Sequence, residues 1–166
     1  MKRVLLTGMS GTGKSTLTSA LAARGYKAVD ADTNEWSKWV TAPSGLELGD
    51  SPVRANEDWV WREDRISDLL ATEDADILFL SGCAENMGQF LPQFDHIVLL
   101  SVPGDTIVER LKIRTNNAYG KHPHEVDRVL ALQRTVEPLL RKAATHEIDT
   151  RAPLDHVLET VLRLVS

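Results

Sequence analysis

An α/β domain, with a central parallel sheet wrapped by helices, is the fold this sequence predicts, on three observations. Strand-like and helix-like stretches alternate along all 166 residues, the pattern that buries a parallel sheet between helical layers. Ile77-Leu78-Phe79-Leu80 and Ile97-Val98-Leu99-Leu100 are continuous apolar runs, which mark strands covered on both faces. The first strand candidate runs straight into a glycine-rich segment that opens a helix, a strand–loop–helix unit typical of such sheets. The length suits one domain, and no repeat, low-complexity tract or long linker divides it.

Each element has its own reason. Val4–Thr7 is β-rich and ends at Gly8. Ser15–Arg24 places Leu17, Ala20 and Leu21 at i, i+3 and i+4, which predicts a helix that Gly25 stops. Lys27–Asp32 reads as the second strand. Residues 34–75 are polar, with helical stretches expected around 34–41 and 55–72, separated by a loop at Thr41–Pro52 that holds two glycines and two prolines. Asp76–Leu80 and His96–Ser101 are the buried strands. A helix is expected over Asp105–Arg114, a loop over Asn116–Pro123, and one long helix over Glu125–Ala144. Glu147–Thr150 reads as a last strand and Leu154–Val165 as an amphipathic helix.

Composition narrows the function classes. The net charge of −5 disfavours a duplex nucleic-acid partner, which needs a basic footprint. Acidic residues concentrate at 31–80 (twelve Asp/Glu against four Lys/Arg), basic ones at 105–145 (eight against five), so the second stretch is the candidate for handling phosphate. No apolar run approaches the roughly 20 residues that span a bilayer, and the chain enters a strand without a secretory h-region. The single cysteine, Cys83, suits a reducing compartment. A cytoplasmic monomer or small homo-oligomer is therefore expected.

Gly8-Met9-Ser10-Gly11-Thr12-Gly13-Lys14-Ser15 fits G-x-x-x-x-G-K-[ST] in full, after a strand and opening a helix. Glycines let successive backbone N–H groups turn inward onto phosphate, and the helix N-terminus adds positive potential. Gly8, Gly11, Thr12, Gly13 and Thr16 are candidate nucleotide contacts. Lys14 would reach the β and γ phosphates, and the Ser15 hydroxyl would take a Mg²⁺ site. The fold class is therefore a three-layer P-loop NTPase. Neither N-K-x-D nor D-x-x-G occurs, which argues against a GTPase switch, and the short chain argues against a motor ATPase. Asp30 and Asp32, two apart at a strand end, share a side. Ligands bind at that end of such a sheet, so one carboxylate can take a hydroxyl proton while the other holds Mg²⁺ through water, and both Asp30 and Asp32 join Ser15 as candidate metal residues. Asp32 could instead cap a helix.

In the order of its motifs the chain resembles the shikimate kinase group of nucleoside-monophosphate-kinase-like P-loop kinases. The residues that carry this are Gly8–Thr16, Val29-Asp30-Ala31-Asp32, Trp61-Arg62-Glu63, Leu80-Ser81-Gly82-Cys83, the segment from Arg110 to Lys121, and Glu137-Pro138-Leu139-Leu140 followed by Ala143 and Ile148-Asp149-Thr150. The resemblance implies an ATP- and Mg²⁺-dependent kinase that transfers the γ-phosphoryl group to a hydroxyl, or a phosphate, of a small molecule. It implies that Asp32 faces the acceptor hydroxyl with Asp30 nearer the metal, and that Arg62 grips an anionic group of the acceptor. It places Arg114 against the nucleotide and makes Lys121 the cation of a lid near 114–124, with an acceptor-binding lobe near 34–72. Adenine over guanine rests on the resemblance alone.

The chain departs from that family where the acceptor would lie. Gly82-Cys83-Ala84 replaces three glycines, Lys121 stands where arginine is usual and loses its fork geometry, and Val136 occupies the place of an acceptor-binding arginine, with Arg134 two residues off. Shikimate is therefore an unexpected acceptor. Gly82, Cys83, Glu85, Asn86 and Arg134 remain candidate acceptor contacts, and Arg110 a candidate nucleotide contact. Trp36, Trp39, Trp59 and Trp61 all fall in the expected lobe. A helix would put Trp36 and Trp39 on one face, either as an aromatic wall for a ring-bearing acceptor or as a small local core. A nucleoside, nucleotide or antibiotic kinase of the same fold, or a non-catalytic ATP-binding module, are the alternative readings. His122 and His124 in a loop give only a faint suggestion of zinc.

Overall fold

The computed structural model describes residues 1–41, 57–114 and 121–166. The expected loop beyond residue 41 and the lid residues 115–120 lie outside that set. Five strands form one sheet: β1 (Lys2–Thr7), β2 (Lys27–Asp30), β5 (Ile77–Ser81), β6 (His96–Ser101) and β7 (His146–Asp149), in the order β2-β5-β1-β6-β7. Every pairing is parallel, with Leu5 opposite Leu80 on one side and Ile97 on the other. β3 (Ser37–Thr41) and β4 (Glu57–Trp61) form a separate antiparallel pair. The helices are α1 (Lys14–Ala23), α2 (Glu63–Ala71), α3 (Gly104–Ile113), α4 (Pro123–Thr135), α5 (Glu137–Ala143) and α6 (Leu154–Val165), and a 3₁₀ segment spans Glu85–Gln93.

The three layers follow from strand alternation. On one face Leu5, Leu78, Leu80 and Leu99 pack with Ile66 and Leu70 of α2, Ile107 and Leu111 of α3, Val129 of α4 and Leu140 of α5. On the other face Val4, Leu6, Phe79, Val98, Leu100 and Ile148 pack with Leu17 and Leu21 of α1 and with Val157, Leu158, Val161 and Val165 of α6. The runs in β1, β5 and β6 are apolar at consecutive positions because both faces of the sheet are covered. Among the described residues, no helix is long and apolar enough to cross a membrane.

Two expectations are corrected. Residues 37–41 and 57–61 are strands, not helix. Trp, Val and Thr favour a pleated, half-buried surface, and Trp39 lies directly opposite Trp59 with ring centroids 5.1 Å apart. Trp36 and Trp39 therefore share no helical face. The long helix of 125–144 is two helices broken at Val136. Pro138 has no N–H to give the Arg134 carbonyl, and Leu139 and Leu140 instead donate to Val136 O at 2.9 and 3.1 Å. Arg134 and Arg141 are thus not two positions of one helical face.

At the opposite end of the sheet from the glycine-rich loop, His96 stacks on His146 with ring centroids 5.5 Å apart. Burial, the neighbouring His146 and the charge of Lys2 hold the His96 pKa below its ordinary value, and Asp95 opposes them. The folded state therefore resists protonation more than the unfolded chain does. Stability from this group is present above the unfolded pKa of about 6.5 and is lost as pH falls from there through the folded pKa. His96→Gln should flatten the fall in melting temperature between pH 7.5 and 5.5. A parallel fall in both proteins would refute the assignment.

Candidate active site

Four turns of chain converge at the C-terminal ends of the strands. The loop after β1 curls because Gly8 (φ 153°) and Gly13 (φ 98°) adopt backbone angles that side chains disfavour. A Cβ on Gly8 would also sit 2.4 Å from the Leu100 carbonyl oxygen, so the loop can lie against β6 only with glycine there. The buried Lys14 ammonium donates to Gly8 O at 2.8 Å and Met9 O at 2.9 Å, which holds it over the start of the loop. Thr12, fully buried, braces the loop by donating to Met9 O at 2.7 Å.

The end of β2 supplies the carboxylates. Ser15 Oγ donates to Asp30 Oδ2 at 2.8 Å, and the other Asp30 oxygen accepts the Asp32 amide at 3.0 Å. Asp32 Oδ1 accepts the indole N–H of Trp59 at 2.6 Å. A cavity of about 620 Å³ is lined by Gly11, Gly13, Lys14, Ser15, Thr16, Asp30, Asp32, Arg110 and Arg114. The structure thus brings together the predicted phosphate loop, both carboxylates and two of the predicted arginines.

The far end of that cavity was not read from the sequence. Ile113, Ala152, Leu154 and Val157 give it an apolar wall, and Thr150 ties the wall to the loop. Thr150 Oγ1 donates to Thr12 O at 2.7 Å and accepts from Arg110 at 2.9 Å. Arg110 also reaches Gly11 O at 3.3 Å. Burial pulls the Arg110 pKa down while Asp149 and Glu109 raise it. The one signal for this wall was its place, just beyond the C-terminal end of an expected strand.

Other candidates lie elsewhere. Arg62 donates through Nε to Asn34 O at 3.0 Å and Ser37 O at 3.1 Å, and it lines a second cavity with Lys38, Trp61 and Asn86. Asn86 pairs with the Trp61 backbone as a strand would: its carbonyl accepts Trp61 N–H at 2.9 Å and its amide donates to Trp61 O at 2.9 Å. Asn86 also donates to Glu63, as does Gln89, and these two bonds hold the Glu63 pKa low. Glu85 opens the 3₁₀ segment and is exposed. Gly82 lies under Trp61, where a Cβ would meet the indole Nε1 at 3.0 Å. Cys83 is buried beside Gly8 and Lys14. Arg134 is exposed and lines neither cavity. Lys121 Nζ donates to Lys112 O at 2.7 Å and Arg114 O at 2.6 Å, closing the C-terminus of α3 rather than lining the cavity.

The tryptophans divide accordingly. Trp61 belongs to the main core with Ala31, Ile66 and Met87, and its ring lies 5.8 Å from that of Phe90. Trp59 is buried against Trp39 and touches Asp32. Trp36 packs at the edge of the core.

The family model described as AAA domain matches residues 4–131. Shikimate kinase 2 of Yersinia enterocolitica is 26% identical over 174 residues, covering 98% of this chain and 95% of that protein. The solved shikimate kinase of Acinetobacter baumannii, in complex with shikimate, superposes with a TM-score of 0.64 at 18% identity, covering 99% of this chain and 93% of that one. A gluconokinase of Sinorhizobium meliloti 1021 gives 0.60 at 19%, again with 99% and 93% covered. At such identity these structures establish the shared fold. With its glycine-rich loop seated at the strand ends, the chain belongs to the AAA-domain family of P-loop proteins, in a shikimate-kinase-like form.

Proposed function

We propose that the protein is an ATP-dependent kinase that transfers the γ-phosphoryl group to a hydroxyl of a small acceptor other than shikimate. One observation carries the reading: Lys14, Ser15, Asp30 and Asp32 line a single cavity. The loop amides and Lys14 bind and neutralise the phosphates, which is most of what phosphoryl transfer asks of a protein. The apolar wall of Ile113, Ala152, Leu154 and Val157 suits a base stacked beside Arg110. Asp32 accepts the proton of the acceptor hydroxyl as the attacking oxygen bonds to the γ-phosphorus, and the bond from that phosphorus to the β,γ-bridging oxygen breaks to release ADP. Arg114 lines the same cavity, which supports a role against the nucleotide.

Ser15 and Asp30 offer adjacent hard oxygen donors, a set that fits Mg²⁺, which takes one or two carboxylates and leaves positions for water and phosphate. Bound there, the ion would neutralise charge on the phosphates. Against shikimate stand Trp61 lying over Gly82, Val136 in place of an arginine, and Arg62 bonded to Asn34 and Ser37. The hairpin β3–β4 with α2 serves as the acceptor lobe of a single kinase domain. The lone buried Cys83 fits the cytoplasm, and the acidic net charge fits a small molecule as partner rather than duplex nucleic acid.

The test is ADP release from MgATP against shikimate, gluconate and other sugar acids, nucleosides, nucleoside monophosphates and hydroxylated antibiotics. One acceptor should stimulate turnover. Asp32→Asn should lower that turnover roughly 10²–10⁴-fold, the usual contribution of a general base, while nucleotide binding persists. Transfer by Asp32→Asn at the wild-type rate removes the base assignment. Binding of ATP with no stimulation by any acceptor favours a regulatory nucleotide-binding module.

A further inference from the structure

The carboxylates at the end of β2 are anchored by different parts of the chain. Asp30 is held from the phosphate-loop side, by the Ser15 hydroxyl at 2.8 Å and the Asp32 amide at 3.0 Å. Asp32 is held from the hairpin side, where the Trp59 indole N–H reaches Oδ1 at 2.6 Å. That donor has little freedom. Trp59 is 6% exposed, its ring lies against Trp39, and the next two residues of its strand, Val60 and Trp61, are also buried. An ionised carboxylate has about four acceptor positions, and one of those on Asp32 is taken by an indole whose own place is fixed by packing.

From this geometry we infer that Trp59 is a positioning residue for Asp32: its indole N–H fixes the carboxylate in the phosphate cavity and makes the placement of the base depend on the β3–β4 hairpin. The inference rests on the kinase reading for its catalytic meaning and on the contact itself for its structural meaning. A base must be oriented by a third group to act efficiently, and here that group comes from outside the central sheet. Losing a hydrogen bond to a charged group corresponds to roughly a tenfold to hundredfold effect. The ring of Trp59 also packs, so packing and donation must be separated by substitution.

Trp59→Phe keeps most of the ring and removes the N–H; Trp59→Leu removes both. Indole ¹⁵N–¹H spectra of the wild-type chain will show four tryptophan signals, and the one missing in Trp59→Phe should move in Asp32→Ala. ADP release from MgATP is then followed with the whole acceptor panel (shikimate, gluconate and other sugar acids, nucleosides, nucleoside monophosphates and hydroxylated antibiotics), against a Lys14→Ala blank. Trp59→Phe should lower kcat roughly tenfold to hundredfold at an unchanged KM for ATP, beyond any fraction unfolded at the assay temperature. In the Asp32→Ala background it should lower kcat no further, because residues that act through one contact are not additive. A purely structural role predicts a lower melting temperature and the same fractional loss in both backgrounds, and that result overturns the inference. An indole signal indifferent to Asp32→Ala overturns it as well. If wild-type release equals the Lys14→Ala blank, the kinase reading has failed, and the indole signal alone decides whether Trp59 holds Asp32.

Discussion

Lys14→Ala abolishes turnover: at least a 10²–10³-fold loss is expected, the scale of removing one preorganised donor from a developing oxyanion. The ammonium is buried and held by two loop carbonyls, so its position is set before any phosphate arrives. Placement of that kind costs no reorganisation during transfer, which is why a mobile surface lysine could not replace it. The fold should survive, because α1 keeps Leu17 and Leu21 in the core and Thr12 still braces the loop. The measurement is ADP release beside a melting curve. An intact melting temperature with turnover above a tenth of wild type would contradict the role given to Lys14.

Trp61→Ala is expected to cost roughly 3–5 kcal/mol of stability, the usual range for deleting a buried aromatic ring. Trp61 is among the largest fully buried side chains. It covers Gly82, packs on Phe90 and belongs to the cluster that joins the hairpin to α2 and the sheet. Asn86 grips its backbone from both sides, so the hairpin cannot readily shift to refill the space. Chemical denaturation of the variant measures the loss, and a change under about 1 kcal/mol would mean that the ring is not part of the core. A fall of this size also loosens the strand that carries Trp59. The variant should therefore lose turnover beyond the fraction unfolded.

The phosphate loop and the sheet were legible because their causes are local. Gly8 to Ser15 needs particular residue types at fixed spacing, and the apolar runs of β1, β5 and β6 record burial on two faces wherever the partners come from. Asp30 and Asp32 were legible as a pair because a strand puts alternate residues on one side. The hairpin was not, because its polar and aromatic residues fit either period until Trp39 meets Trp59 across the pair. The break at Val136 could have been read from Pro138, but the apolar spacing around it continued and outweighed it.

Candidate roles taken one residue at a time divided in the same way. Lys14, Ser15, Asp30 and Asp32 share a cavity because each sits at or just beyond a strand end, which the sequence determines through strand boundaries, and Arg110 and Arg114 reach it from the C-terminal end of α3. Arg62, Asn86 and Lys121 turned to backbone carbonyls or strand edges nearby. Long polar side chains satisfy whichever buried partner the fold brings close, and only the tertiary structure specifies that partner. The sequence by itself therefore determined the P-loop fold and the phosphate end of the site. The apolar wall beside Thr150, the anchoring of Asp32 by Trp59 and the covering of Gly82 by Trp61 were decided by tertiary structure. Each depends on segments tens of residues apart, whose meeting is set by packing rather than by any local pattern.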